Sequence, residues 1–286
     1  MISTAEKSNI DNLKDLWRVC FYDEPRYIDF FFDYRFVPSN TLVYTLNNKT
    51  VAQLFLLEGG FSVKGNIYPS YYLYAACTHP DFRRKGIMKE LLLYAEEISK
   101  KRDIDFICLV PAEKSLFDYY SKFSYKSVFS KTRITVAKPD SFAPKLSINA
   151  FSLSSDNISL FRNNYLTKHD CFVWSDKAIN YAIKENMFSD GSFYVSDYGY
   201  ALLRQIDKNT GYVIEICSSD GNQNKIIEDL FTEFQFEKLV IDAPCDFIHN
   251  KCAFEKVENA MALAVSDKAK KIIDNISGAY FGLSLE

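Results

Sequence analysis

Hydrophobic positions recur at helical spacing from the start of the chain. Ile10, Leu13, Leu16, Trp17 and Cys20 share one face of a 3.6-residue repeat and predict an amphipathic first helix. An aromatic-rich second helix is expected over 26–35. TLVYTL (41–46) and VAQLFLLEGG (51–60) are β-rich runs around a polar Asn47-Asn48-Lys49 break, the pattern of a hairpin. SYYLYAACT (70–78) follows as a third strand. Ile87, Met88, Leu91, Leu92, Ala95 and Ile98 then make one apolar helical face, with Glu96 and Glu97 four residues before Lys100 and Lys101 in the favourable order for ion pairs. DFICLVP (105–111) is a continuous apolar run, expected as a buried strand. Residues 113–122 predict a helix, and YKSVFSKTRITVA (125–137) a long strand that closes the first half.

Between Lys138 and Asn157 the pattern dissolves into Pro139, Pro144 and scattered serines, the composition of a linker. Beyond it the alternation resumes, with a helix near 176–184, strands in 192–206 and 212–218, a helix over 224–234, a strand at 238–244 and a final strand at 253–265. LVP (109–111) and DAP (242–244) each end a strand and precede an aromatic-led final strand, which suggests a weak internal repeat.

A chain of 286 residues suits two domains with separate cores. Its formal net charge of −3 argues against a protein built to hold nucleic acid, while leaving room for a local anion site. The seven cysteines are scattered and odd in number, without CxxC pairs, so neither a disulfide framework nor a metal site is expected. No apolar h-region marks the N-terminus, and no window approaches the roughly 18 apolar residues of a membrane span. The expectation is a soluble protein of a reducing compartment, cytoplasmic, with no membrane partner.

The stretch THPDFRRKGIMKELL (78–92) is where the pattern points to chemistry. A strand ends at Thr78, three cations follow, then Gly86, then an apolar helix. The first turn of a helix leaves amide N–H groups unpaired and carries partial positive charge, so it suits a phosphate. Gly86 permits close backbone approach, and Arg83, Arg84 and Lys85 add charge, each aligned charge-assisted bond being worth roughly 1.5–3 kcal/mol.

Here the sequence resembles the GCN5-related N-acetyltransferase (GNAT) superfamily, whose signature Q/R-x-x-G-x-G/A is matched by Arg83-Arg84-Lys85-Gly86-Ile87-Met88 after a Thr78-x-Pro80. LFDYYSKFSY (116–125) is similar to the family's Y-x-K-x-G-F element through Tyr120, Lys122, Ser124 and Tyr125. The resemblance covers about residues 1–137, and the whole layout looks like two-domain members with a degenerate second copy. It implies an α/β (α+β) fold of tandem GNAT-like domains, each a mixed, mostly antiparallel sheet flanked by helices. Residues 1–138 would be the acetyl-CoA-binding catalytic domain, and 146–286 a degenerate copy shaping the acceptor pocket or an oligomer contact. It implies acetyl-CoA as co-substrate, with the pyrophosphate held by Arg83, Arg84, Lys85, Gly86, Ile87 and Met88, and the pantetheine arm lying along Cys77 and Thr78. Three departures stand out: Met88 for a small residue, Ser124 for glycine, and no carboxylate in the strand 70–78. The second half has nothing like R-x-x-G-x-G in CSSDGNQNK (217–225) and is expected to bind no coenzyme A.

Acetyl transfer to an amine needs a neutral nucleophile, whereas an alkylammonium has a pKa of about 10.4, so a proton must leave before attack on the thioester. By resemblance Tyr120 is the catalytic residue, donating to the departing sulfur. Full proton transfer from a phenol near 10 to a thiolate of a thiol near 8.5 is uphill by about 2 kcal/mol. The general base is open among His79, Glu113 and a water chain. Asp23, Glu24 and Asp29, set among Phe21, Tyr22, Tyr27, Phe30, Phe31, Phe32, Tyr34 and Phe36, either decorate a core or line a cleft for a cationic small-molecule or peptide amine. A non-catalytic acyl-CoA-binding sensor or scaffold is the rival reading. A homo-oligomer is left open.

Overall fold

The structure is a computed structural model, and it describes residues 1–139, 155–219, 221–245 and 254–284. In chain order the first half forms β1 (Ile2–Thr4), α1 (Ile10–Phe21), α2 (Pro25–Arg35), β2 (Thr41–Leu46), β3 (Lys49–Val63), β4 (Asn66–Thr78), α3 (Ile87–Lys101), β5 (Phe106–Leu109), α4 (Lys114–Ser121) and β6 (Lys126–Ala137). The second forms α5 (Ser155–Leu166), β7 (Cys171–Val173), α6 (Asp176–Phe188), β8 (Ser192–Ser196), β9 (Gly199–Asp207), β10 (Thr210–Ser218), α7 (Gln223–Phe234), β11 (Lys238–Ala243), β12 (Phe254–Ala264) and α8 (Asp267–Lys270).

Local chemistry explains several boundaries. Pro25 opens α2, where its missing N–H costs nothing. Asn47 and Asn48 turn β2 into β3 with φ of 49° and 62°, the left-handed pair that a two-residue hairpin needs and that asparagine tolerates. Ser175 caps α6 by accepting from the Ala178 N–H at 3.3 Å. The sequence pattern did not predict α5, β7 or β1, which are short or weakly periodic. The linker expected between Lys138 and Asn157 falls mainly on 140–154, outside the described residues.

The described chain divides into two compact units that interleave along the sequence. One comprises Met1–Gly60, Tyr68–Lys126 and Met261–Asn275, the other Phe61–Ile67, Ser127–Ala260 and Ile276–Glu286. In the first the strand order is β1-β2-β3-β4-β5-β12, with β4 and β5 parallel. In the second it is β6-β11-β10-β9-β8, with β10 and β11 parallel and the other pairs antiparallel.

The closing strands are exchanged. The stretch expected to close the first half, β6, instead lies antiparallel to β11, from Lys238↔Ala137 to Ala243↔Thr132. Met261–Ala264 of β12 pairs antiparallel with β5, from Met261↔Leu109 to Ala264↔Phe106. A strand's alternation specifies its faces but not its neighbour, so periodicity could not assign either partner. Asp105 locks the returning segment in the first unit. Its main-chain carbonyl accepts from Val265 N at 2.8 Å, and its carboxylate from Ser266 Oγ at 2.5 Å and Lys268 Nζ at 2.8 Å.

The first unit's core joins Leu54 and Leu56 of β3, Leu73 of β4, Leu91, Leu92 and Ala95 of α3, Ile107 and Leu109 of β5, and Met261 and Leu263 of β12. The predicted apolar face of α3 is therefore the face that packs. The second unit's core joins Leu203, Val213, Ile216, Leu230, Leu239 and Ile241 with their neighbours. In that unit Arg162 and Glu215 are fully buried and paired through both guanidinium edges, Nε and Nη2 each 2.9 Å from a carboxylate oxygen. Among the described residues no helix is long and apolar enough to cross a membrane.

Candidate functional site

In the first unit β4 and β5 run side by side only from Ser70↔Phe106 to Tyr72↔Cys108. Past that point β4 continues to Thr78, and its extended conformation breaks at Ala75, where φ is +47°. A left-handed residue inside a strand costs about 1–2 kcal/mol for anything but glycine, so the surrounding packing holds this break in place. The result is a strand that parts from its parallel neighbour and then leads straight into the basic turn.

Main-chain bonds build that turn. His79 N–H donates to the Val51 carbonyl at 2.8 Å, Pro80–Phe82 make one 3₁₀ turn, and Arg83 N–H donates to Pro80 O at 3.2 Å. Arg84 and Gly86 are left-handed, with φ of 61° and 81°. The first bond of α3 runs from Glu90 N–H to Gly86 O at 3.1 Å, and no side chain caps the helix. The N–H groups of Gly86, Ile87 and Met88 are therefore donors without an intrahelical acceptor. A Cβ built on Gly86 would meet nothing within 4 Å, so the space beside Gly86 is open. Thr78 Oγ1, at the entrance to the turn, is buried and has no hydrogen-bond partner among the described residues.

The three cations do different jobs. Arg83 Nε donates to Thr78 O at 3.0 Å, and Lys85 Nζ to Asp81 O at 3.0 Å while lying 5.0 Å over the Phe82 ring. Both stitch the turn together. Arg84 is exposed and makes no hydrogen bond or ion pair among the described residues. Met88 packs half-buried against the core instead of crowding the amides.

Tyr120, on α4, is 9% exposed and packs in the core with its ring 5.6 Å from Tyr125. Burial, with Tyr119 beside it, pushes its phenol up to about 12. Its hydroxyl makes no hydrogen bond among the described residues. Ser124, where the family motif has glycine, adopts φ of +65°, so the backbone keeps a glycine-like turn without the glycine.

Neither base candidate is free. His79 Nδ1 accepts from Asp81 N–H at 3.3 Å, which is the work of a turn residue. Glu113 is exposed and takes the Ser115 hydroxyl at 2.6 Å.

The aromatic residues of α1 and α2 divide. Trp17 and Phe31, buried, stack with Phe55 and with Tyr74 of β4 at 4.8–5.8 Å between ring centroids, and Phe32 joins them. Tyr22 and Tyr34 are exposed. Glu24 is paired with Arg26 and Asp29 with Lys14, whereas Asp23 accepts the neutral Trp17 Nε1–H at 2.7 Å.

Residues 1–128 match the acetyltransferase (GNAT) domain family. The chain's first 128 residues thus carry a GNAT acetyltransferase domain. Solved structures extend the GNAT likeness over both units. A probable N-acyltransferase from Enterococcus faecalis V583 superposes with a TM-score of 0.73 at 12% identity over 94% of this chain and 73% of that one. Eis1 from Mycobacterium abscessus gives 0.74 at 13%, over 94% and 75%. A tandem GNAT protein from the clavulanic acid biosynthesis pathway gives 0.51 at 12%, over 93% and 99%. At such identities these likenesses show the fold. No curated protein matches the sequence.

The second GNAT-like unit repeats the same devices in muted form. β10 and β11 are parallel from Thr210↔Lys238 to Val213↔Ile241, β10 carries a bulge between Val213 and Glu215, and Gly221 has φ of +77° before α7. The cations are missing there. Among the described residues no cluster of His, Cys, Asp and Glu could hold a metal. One feature of this candidate site was illegible in the sequence: the break at Ala75, which has no glycine to announce it.

Proposed function

We propose that this protein is an acetyl-CoA-dependent N-acetyltransferase acting in its first unit on an amine of a small molecule or peptide. The observation that carries the reading is one continuous piece of backbone: β4 parts from β5 after Tyr72, breaks at Ala75, and ends in an uncapped helix start over open space at Gly86. When bound, acetyl-CoA supplies an acyl group activated as a thioester.

The donor set fits a pyrophosphate. The amides of Gly86, Ile87 and Met88 would take its oxygens at the positive end of α3, with Arg84 as the exposed charge and with Arg83 and Lys85 fixing the turn. Cys77 and the unpartnered Thr78 hydroxyl would lie along the pantetheine arm. Tyr120 stays protonated throughout the physiological range, since burial moves its phenol up, away from neutrality. Transfer of its proton to a thiolate would be uphill by about 5 kcal/mol, so Tyr120 stabilises the departing sulfur by donating a hydrogen bond while keeping its proton. Asp23, the carboxylate at the α1–α2 turn that accepts the neutral Trp17 Nε1–H, is the natural contact for an ammonium.

With His79 and Glu113 each holding a local hydrogen bond, the amine's proton leaves to solvent. The rate should then rise about tenfold per pH unit until the amine's own pKa is reached. The deciding experiment is thiol release from acetyl-CoA on adding amines, beside calorimetric titration with acetyl-CoA and CoA. Saturable binding with amine-dependent thiol release supports the enzyme. Binding without release would leave a sensor or scaffold, and no binding would end the reading.

A further inference from the structure

One carboxylate of the second unit holds more positive charge than it needs. On β6, Ile134 and Val136 turn into the unit's core, so Lys131 and Arg133 share the opposite face of the sheet. On β11, Leu239, Ile241 and Ala243 are core, and Asp242 faces away from them, directly across from Arg133. Lys131 Nζ lies 2.7 Å from Asp242 Oδ2, and Arg133 donates to the same carboxylate through Nε at 2.8 Å and Nη2 at 2.9 Å. The Tyr212 hydroxyl donates to it as well, accepts from Arg133 Nη2 at 3.3 Å, and has its ring centroid 5.6 Å from the Arg133 guanidinium.

A guanidinium bound side-on already balances one carboxylate and reaches both of its oxygens. Lys131 is therefore an extra cation. Among the described residues Asp242 is the only carboxylate that pairs with either cation. Water does not disperse the extra charge, because the Asp242 side chain is 1% exposed and that of Lys131 14%. Two cations on one oxygen repel each other, and a largely buried charge without a countercharge is costly, so the cluster favours an added anion. The Arg133 side chain, 37% exposed, opens it to solvent. Acetyl transfer as drawn above uses none of these residues.

We propose that Lys131 and Arg133 form an oxyanion site in the second unit, held in place by Asp242 and Tyr212, that takes a phosphate group. The donors left over select the shape of the ligand. Arg133 directs Nε and Nη2 at Asp242, and Nη2 also at Tyr212, so both forks that would grip a planar carboxylate are engaged. What remains is Nη1 together with the Lys131 hydrogens that Asp242 leaves, on two separate heads that meet at one oxygen. Such donors suit oxygens in a tetrahedral arrangement. Asp242 does not repel the ligand strongly, because donors cover both of its oxygens and the cluster stays net positive.

The test is calorimetric titration of the full chain with inorganic phosphate at fixed ionic strength. The proposed acetyl-CoA cradle would take phosphate too, so the titration is repeated in Gly86→Asp, where a saturable phosphate site should persist. Lys131→Met should leave melting in chloride buffer within about 2 °C, since Arg133 and Tyr212 still hold Asp242. Added to Gly86→Asp, it should weaken phosphate about 10- to 100-fold, the value of one charge-assisted hydrogen bond. Should Lys131→Met fail to fold, labelling of the unmodified chain decides. Phosphate at about ten times its dissociation constant should slow phenylglyoxal modification of Arg133 about tenfold, mapped by mass spectrometry, and chloride at the same ionic strength should not. Methyl phosphate binding as tightly as inorganic phosphate would make the ligand a phosphate ester, and binding of inorganic phosphate alone would make it the free ion. Acetate binding as tightly as phosphate, no phosphate binding in Gly86→Asp, an affinity indifferent to Lys131→Met, or Arg133 labelling indifferent to phosphate would overturn the proposal. None of these readouts needs acetyl-CoA or an amine, so the site and the proposed enzyme can fail separately.

Discussion

Gly86 has φ of 81° and ψ of −1°, and a Cβ there would touch nothing within 4 Å. Gly86→Ala therefore carries a conformational cost without a clash, about 1 kcal/mol net once the stiffer unfolded chain is counted. That should lower the melting temperature by about 2–4 °C. Gly86→Asp has the same backbone cost and adds a negative charge beside the amides. At an effective dielectric of about 40 and a separation of about 5 Å, each opposed phosphate charge costs about 1.7 kcal/mol. Two such charges imply a loss of about 3 kcal/mol, or more than a hundredfold in acetyl-CoA affinity. Calorimetric titration at low and high salt separates the effects. The Ala variant should bind within about tenfold of the parent, and the Asp penalty should shrink as salt screens the repulsion. Equal losses in both variants would mean that backbone strain, not the field at the helix start, governs binding. Unchanged affinity in the Asp variant would place the pyrophosphate elsewhere.

Tyr120→Phe removes one hydroxyl from a packed ring. It should leave melting and acetyl-CoA affinity in place while turnover falls about 10- to 100-fold, the value of a hydrogen bond to a charged sulfur, read in thiol-release kinetics. Arg162→Met leaves Glu215 buried without its countercharge and should cost about 3–5 kcal/mol in denaturant unfolding, part of which the double replacement Arg162→Met/Glu215→Met should recover. Asp242 is desolvated, yet hydrogen bonds from Arg133 and the charge of Lys131 outweigh burial and hold its carboxyl below the usual range. Its folded pKa lies below its unfolded one. The stability it contributes is therefore complete at neutral pH and is lost as pH falls from about 4 through the folded value. Melting followed from pH 7 down to 2 should show that loss, and Asp242→Asn should flatten it.

Much of this was legible in one dimension. Helical periodicity placed α1 and α3 within a few residues, because each buries one face against a core, and β5 was legible as a continuous apolar run because it is buried along its whole length. The basic turn was legible for the same local reason: a strand end, three cations and a glycine before an apolar helix are contiguous in sequence. The division of labour among those cations was not, since Arg83 and Lys85 are claimed by carbonyls that only the folded turn brings near. His79 and Glu113 were candidate bases in the sequence; in the fold His79 accepts from the Asp81 N–H and Glu113 from the Ser115 hydroxyl.

What the sequence determined by itself is whatever depends on near neighbours: the periodic faces, the Asn47–Asn48 hairpin, the uncapped helix start and the family to which those motifs belong. What the tertiary structure decided is everything that joins distant segments. β6 found β11 and the end of β12 found β5 because an open strand edge accepts any strand of suitable face and length, and alternation carries no address.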